Sequence, residues 1–195
     1  MRERKKSYRE RYFEDYKAVK VPAENRKGYR VEYRYIGLWT RWESEKRPLG
    51  IVKREMMLLE AFSITVYLLS VLSGTPLIVS RLANGFGTLS LVPWILELSG
   101  VVRFVISREY VKELSSEEIS TSIRSGGIAR FILTGLSAIT GVIQILTQKT
   151  AVPADIPVFL GIMISAAVSL LVKHDFDRLL RNSYRNDNGN PGSRI

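Results

Sequence analysis

Residues 61–80 read AFSITVYLLSVLSGTPLIVS, twenty consecutive positions without a charged side chain. At about 1.5 Å per residue, a helix of that length crosses the ~30 Å hydrocarbon layer of a bilayer. Three further apolar runs follow. The second, about 86–107, is interrupted by Glu97 and Arg103; the third, about 126–148, is uncharged from Phe131 onward; the fourth, about 156–173, carries no charge up to Val172. The first span is set at about 56–80. A single such run also fits a buried soluble helix, but four in a chain of 195 residues point to an all-α integral membrane protein. The outer links, after the first and third spans, are short, so neighbouring helices pack antiparallel. Asp155 and Pro157 mark the start of the fourth helix.

The mean hydropathy of +0.01 averages two unlike parts. Residues 1–54 hold 17 basic and 8 acidic side chains, a net charge of +9 out of +10 for the chain. This basic, aromatic-rich head precedes the bundle, taken as residues 55–181, and a tail over 182–195 whose Asn, Gly, Arg and Asp predict disorder. Arg41, Lys46, Arg47, Lys53, Arg54, Arg108, Lys112, Arg124, Lys173, Arg178, Arg181 and Arg185 flank the spans on one side, against Arg81 and Lys149 on the other. The positive-inside rule therefore predicts a multi-pass protein of the cell (plasma) membrane with both termini cytoplasmic. No apolar core follows the charged start of the chain, so the first span is expected to act as the internal insertion signal.

Within the head, Tyr8, Tyr12 and Tyr16 recur every fourth residue and suggest a short helix. Tyr29, Val31, Tyr33 and Tyr35 alternate with polar residues, so 17–21 and 29–36 are read as a β-hairpin. A lone hairpin is marginal in water and needs a surface to lie on: the bundle's inner mouth or a docked partner. Trp39 and Trp42, just before the first span, suit the headgroup belt. Ser115 and Glu118 form a possible capping box, which suggests that the third helix begins outside the bilayer and runs into it.

Ionisable side chains inside a membrane mark candidate functional sites. Glu97 falls near mid-bilayer, either as a neutral or hydrogen-bonded structural group, with Gln144 and Thr140 as available partners, or as a proton- or cation-handling group. Glu60, Arg103 and Arg130 are placed at similar depth, about one turn inside the head-side boundary, as a structural lock or an anion site. Gly161, Ser165 and Ser169 form a small-residue stripe on the fourth helix, and Ser137 and Gly141 another on the third, which let helices approach closely.

The sequence holds no Cys, one His and no phosphate-binding, nucleophile-elbow or zinc-protease motif, so no catalytic, cofactor-binding or metal residue is assigned. His174, beside Asp175 and Asp177, lacks the further ligands a metal needs. The basic head is better matched to anionic lipid headgroups than to nucleic acid. These features predict a non-enzymatic accessory or scaffold subunit of a larger membrane partner. The alternative is a small oligomeric transporter or channel that uses Glu97. Pro76 and Pro93 interrupt the first two spans, but no repeat relates the two helix pairs. On this Cys-free chain, single-cysteine labelling at Lys46, Ser116 and Asn188 is expected from the cytoplasm, and at Asn84 and Ala151 from outside. An externally labelled Ser116 would contradict the span count or the orientation.

Overall fold

The computed structural model describes residues 15–24, 28–44, 47–79 and 81–186. In the head, β1 (Tyr16–Pro22) and β2 (Tyr29–Tyr35) form an antiparallel hairpin with Tyr16 opposite Tyr35 and Pro22 opposite Tyr29. Period-two alternation puts Tyr29, Val31, Tyr33 and Tyr35 on one face, as the sequence suggests. Tyr8 and Tyr12 lie outside the described residues. Tyr16 is not helical: it opens β1 and packs edge-on against Tyr35 at 5.4 Å, because the cross-strand ring pair outweighs the four-residue spacing. Burial, with Asp15 nearby, pushes the Tyr35 phenol up to about 12, so it stays protonated and donates to the Leu38 carbonyl at 2.9 Å.

A second, three-stranded sheet has the order β4-β3-β5, with β3 (Trp39–Arg41) between β4 (Tyr110–Lys112) and β5 (Tyr184–Asn186). It fastens the inner loop and the chain after the last helix to the head. Part of the expected disordered tail is thereby ordered: 184–186 finds ladder partners on β3, with Arg185 opposite Thr40. Residues 187–195 lie outside the described residues.

The described residues hold six helices: α1 (Leu49–Leu72), α2 (Pro76–Val79), α3 (Arg81–Leu89), α4 (Leu91–Ile106), α5 (Glu113–Gln148) and α6 (Asp155–Asn182). Four stretches are long and apolar enough to span a membrane: α1, α3 with α4, α5 and α6. The opening uncharged run is not one helix. It is cut after Leu72 by Gly74, whose φ of 64° ends the helix in the left-handed region, and restarted at Pro76, which suits a first turn. The first span instead begins earlier, at Leu49, with Lys53, Arg54 and Glu55 in its opening turns. The short break at Ser90 between α3 and α4 precedes Pro93, which has no N–H to offer the Leu89 carbonyl. Helix α5 runs unbroken for 36 residues from the head end, as anticipated, but it starts at Glu113. Ser115 is therefore inside the helix rather than its cap.

The side chains are distributed inside out. Leu58, Phe62, Leu69, Ile95, Ile132, Ile143 and Leu171 are exposed on the bundle surface, where lipid tails replace water. The buried face of α1 is Met56, Glu60, Ser63, Tyr67 and Ser70. Close approach uses the predicted small residues: a Cβ on Gly141 would stand 2.6 Å from the Leu77 carbonyl oxygen, and Gly161 is pressed against Ser70. At the outer end Asp155 accepts from the backbone N–H groups of Leu77 (3.1 Å) and Val152 (2.9 Å), tying the two outer turns together.

The apolar core at the head end gathers Trp42, Met56, Phe104, Ile123, Val172 and Phe176. Trp42 is not in a headgroup belt; it is 2% exposed, with its ring 5.4 Å from Phe104 and 5.9 Å from Phe176. Three aromatic rings bury more apolar area together than a lone indole gains at an interface. Trp39 is half-buried against Tyr35 at 5.3 Å. Trp42→Ala should therefore cost about 3–5 kcal/mol, in the range for a large core truncation, and Trp39→Ala far less. Thermal unfolding in detergent reads the difference, and equal losses would contradict the core role of Trp42.

Candidate functional site

All four spans contribute a side chain to one point inside the bundle. Glu60 and Ser63 stand three residues apart on α1, and Ser165 and Ser169 four apart on α6, so each pair shares a helix face. Glu97 comes from α4 and Arg130 from the middle of α5. Arg130 Nη1 donates to Glu97 Oε2 at 3.2 Å and to Glu60 Oε2 at 3.3 Å. Its Nη2 donates to Ser63 Oγ at 2.6 Å and Ser165 Oγ at 2.9 Å. Ser169 Oγ donates to Glu97 Oε2 at 2.9 Å. Relative exposures of 1% for Glu60, 0% for Glu97 and 3% for Arg130 put the cluster out of contact with the surface.

Two glycines make the approach possible. A Cβ on Gly126 would lie 2.6 Å from the Glu97 nitrogen and 2.8 Å from the Pro93 carbonyl oxygen. On Gly127 it would meet Glu97 Oε1 at 3.2 Å and the Ser169 carbonyl oxygen at 3.3 Å. With hydrogen there instead, α4 closes on α5 and the Glu97 carboxyl arrives beside Arg130, one turn further along.

The charges do not cancel. Two ionised carboxylates against one guanidinium leave one negative charge, which is costly in a low-dielectric interior. A single proton or monovalent cation balances it. Glu60 Oε1 and Glu97 Oε1 are both buried and lack a hydrogen bond of good geometry, with the two carboxyls near each other and the Trp94 indole near Glu60. Among the described residues no three His, Cys, Asp or Glu converge on one point. Among the described residues the exposed His174 has Asp175 within ion-pair reach, at 3.5 Å.

The structure thus unites Glu97 with Glu60 and Arg130, which the sequence placed in separate groups. It also sets Glu60 and Arg130 at mid-helix, because α1 and α5 begin well before their uncharged runs. Arg103 does not join them. Its side chain is 57% exposed and reaches Glu118 at 3.4 Å. Six residues beyond Glu97, at about 100° per residue, it points out of the bundle while Gly100, Val101 and Phe104 point in. Gln144 and Thr140 are not partners of Glu97 either. Gln144 is fourteen residues along α5 from Arg130, about 21 Å, and Thr140 returns its hydroxyl to the Leu136 carbonyl at 2.7 Å. Ser165 and Ser169, expected as packing residues, hydrogen-bond within the site. Ser63, Gly126 and Gly127 were not singled out from the sequence. Their signals are the i,i+3 spacing from Glu60 and a glycine pair one turn before an intramembrane Arg.

Comparisons with protein-family models, curated proteins and solved structures find no match, so the chemistry of the site rests on its own geometry. Breaking a buried ion pair by removing one partner costs about 3–5 kcal/mol, so Arg130→Met should destabilise the detergent-solubilised protein by that order. Replacing Glu60 and Glu97 by Gln in the same protein should recover part of the loss. Strict additivity in that cycle would show that these residues do not interact.

Proposed function

We propose that this multi-pass membrane protein is a small non-enzymatic transporter or channel whose Glu60–Glu97–Arg130 cluster binds and releases a proton or small cation. The observation that carries this reading is the single buried guanidinium shared between carboxylates from α1 and α4. With a proton or cation on the pair, the site is neutral. Without it, one negative charge remains in the interior and attracts the next cation. Because Arg130 touches carboxylates on two different helices, occupancy of one changes the pull of the other. A change at the site is thereby linked to the packing of α1 against α4 and α5.

An accessory subunit has no need of an uncompensated charge at its centre, so the site favours transport over the scaffold reading. The observation on the scaffold side is the aromatic face of the hairpin, where Tyr33 and Val31 are exposed among the described residues. In this proposal the head faces the cytoplasm by the positive-inside rule, the membrane is the plasma membrane, and the basic head meets anionic lipid rather than nucleic acid. Assembly into a homo-oligomer is compatible with this reading.

The test is ion flux in proteoliposomes with entrapped pH, sodium or potassium indicators under an imposed gradient. Glu97→Gln keeps the shape and cannot ionise; it should leave the protein folded and abolish flux. Arg103→Gln, outside the cluster, should retain it. Full flux through a folded Glu97→Gln protein would overturn the reading.

A further inference from the structure

The site is not flanked alike on its two sides. Toward the head, the next layers are Val101, Phe104, Ile123, Val172 and Phe176, all with 0% exposure and no polar side-chain atom. Toward the outer turns, the layers on α1, on α5 and at the Ser90 break between α3 and α4 carry hydroxyls. Tyr67 follows Ser63 by one turn, and its hydroxyl donates to the Gly87 carbonyl at 2.7 Å. Ser90 Oγ donates to the same carbonyl at 2.6 Å and lies 3.4 Å from the Tyr67 hydroxyl. Gly87 supplies the space: a Cβ there would stand 3.1 Å from the Tyr67 oxygen and 3.2 Å from Ser137 Oγ. Between Arg130 and Ser137 on α5 comes Thr134, 1% exposed, whose Oγ1 has no hydrogen-bond partner. A buried hydroxyl without a partner costs stability unless something else uses it. The apolar cluster of the outer half, which includes Leu77, Val158 and Ile162, is built from α2, α5 and α6.

We propose that the hydroxyl side formed by Thr134, Tyr67, Ser90 and Ser137 is the route by which the charged cluster exchanges its proton or cation with the outer end, and that the structure is closed toward the head by the aromatic layer. The inference rests on the transport reading above and adds which end the site serves. In this structure Tyr67 and Ser90 donate to the Gly87 carbonyl and Ser137 to the Ala83 carbonyl at 2.7 Å. Hydroxyls both donate and accept, so on rotating from those carbonyls they pass a proton or replace the water around a small cation. The layer of Val101, Phe104, Ile123, Val172 and Phe176 does neither.

Access is measured separately from transport. The chain contains no cysteine, so Ser137→Cys, Ser90→Cys, Ile123→Cys and Val172→Cys each place one thiol at a chosen layer. The two serine changes nearly keep the volume, and any cavity left at Ile123 or Val172 works against the expected contrast. In vesicles of known orientation, silver ion is added on one side, and unreacted thiols are counted by mass tagging after denaturation. Ser137→Cys and Ser90→Cys should react from the outer end at least about tenfold faster than from the head end, and at least about tenfold faster than the two head-side positions. Reaction that is equal from both ends, faster from the head end, or absent at both serines would overturn the route. Unreactive serine positions in a protein that still moves ions would reject the route and leave the charged site standing. Reactive positions in a protein with no flux would support the route and reject the transport reading.

Discussion

One guanidinium shared by two carboxylates governs this bundle. Arg130 is 3% exposed, and the side chains that contact it answer that condition. Serines from α1 and α6 take the N–H groups that the carboxylates leave over. A third serine holds Glu97, and adjacent glycines bring α4 close enough for its carboxylate to arrive. Hydrogen bonds are the only strong attraction helices have in lipid besides packing, because burying apolar side chains against each other gains little over lipid tails. A cluster touching all four spans therefore fixes their relative rotation.

That constraint also accounts for the distribution of the other side chains. Most of the exposed large side chains are leucine and isoleucine, and the inward faces hold small, polar and aromatic groups together with a few Ile, Leu and Val. The head adds a second kind of order. Its strand β3 joins two strands that lie far apart in the chain, and Trp42 leads from that sheet into the aromatic layer between the spans. Sheet, tryptophan and aromatic layer together close the head end, while at the other end Asp155 ties two short turns and a smaller apolar cluster packs beside them. The charged cluster lies between a firmly closed end and a hydroxyl-lined one.

Much of this was legible in the residues. Long uncharged runs announce spans because charge in hydrocarbon is expensive, and alternating aromatic residues announce the hairpin. Intramembrane Glu60, Glu97 and Arg130 stand out for the same reason as the spans do. Rotation and depth were less legible. Uncharged runs do not show where a helix starts, since charged turns extend it into water, so Glu60 and Arg130 were set too near one boundary. Arg103 was grouped with them by depth, although its phase relative to Glu97 turns it outward. Gly74 with Pro76 is a stop and restart that hydropathy overlooks. Strands β4 and β5 are three residues each, too short for any periodicity, and they exist because β3 offers them ladder partners.

Charge balance at Arg130 is tested most directly by infrared difference spectroscopy of the carboxyl groups in lipid, titrated in buffer free of sodium and potassium so that only protons can neutralise the cluster. A carboxylic acid band that appears on titration, shifts in heavy water and is lost in the Glu60→Gln/Glu97→Gln double variant is predicted. A wild-type spectrum identical to that of the double variant throughout the titration would contradict the shared-proton cluster and, with it, the transport reading.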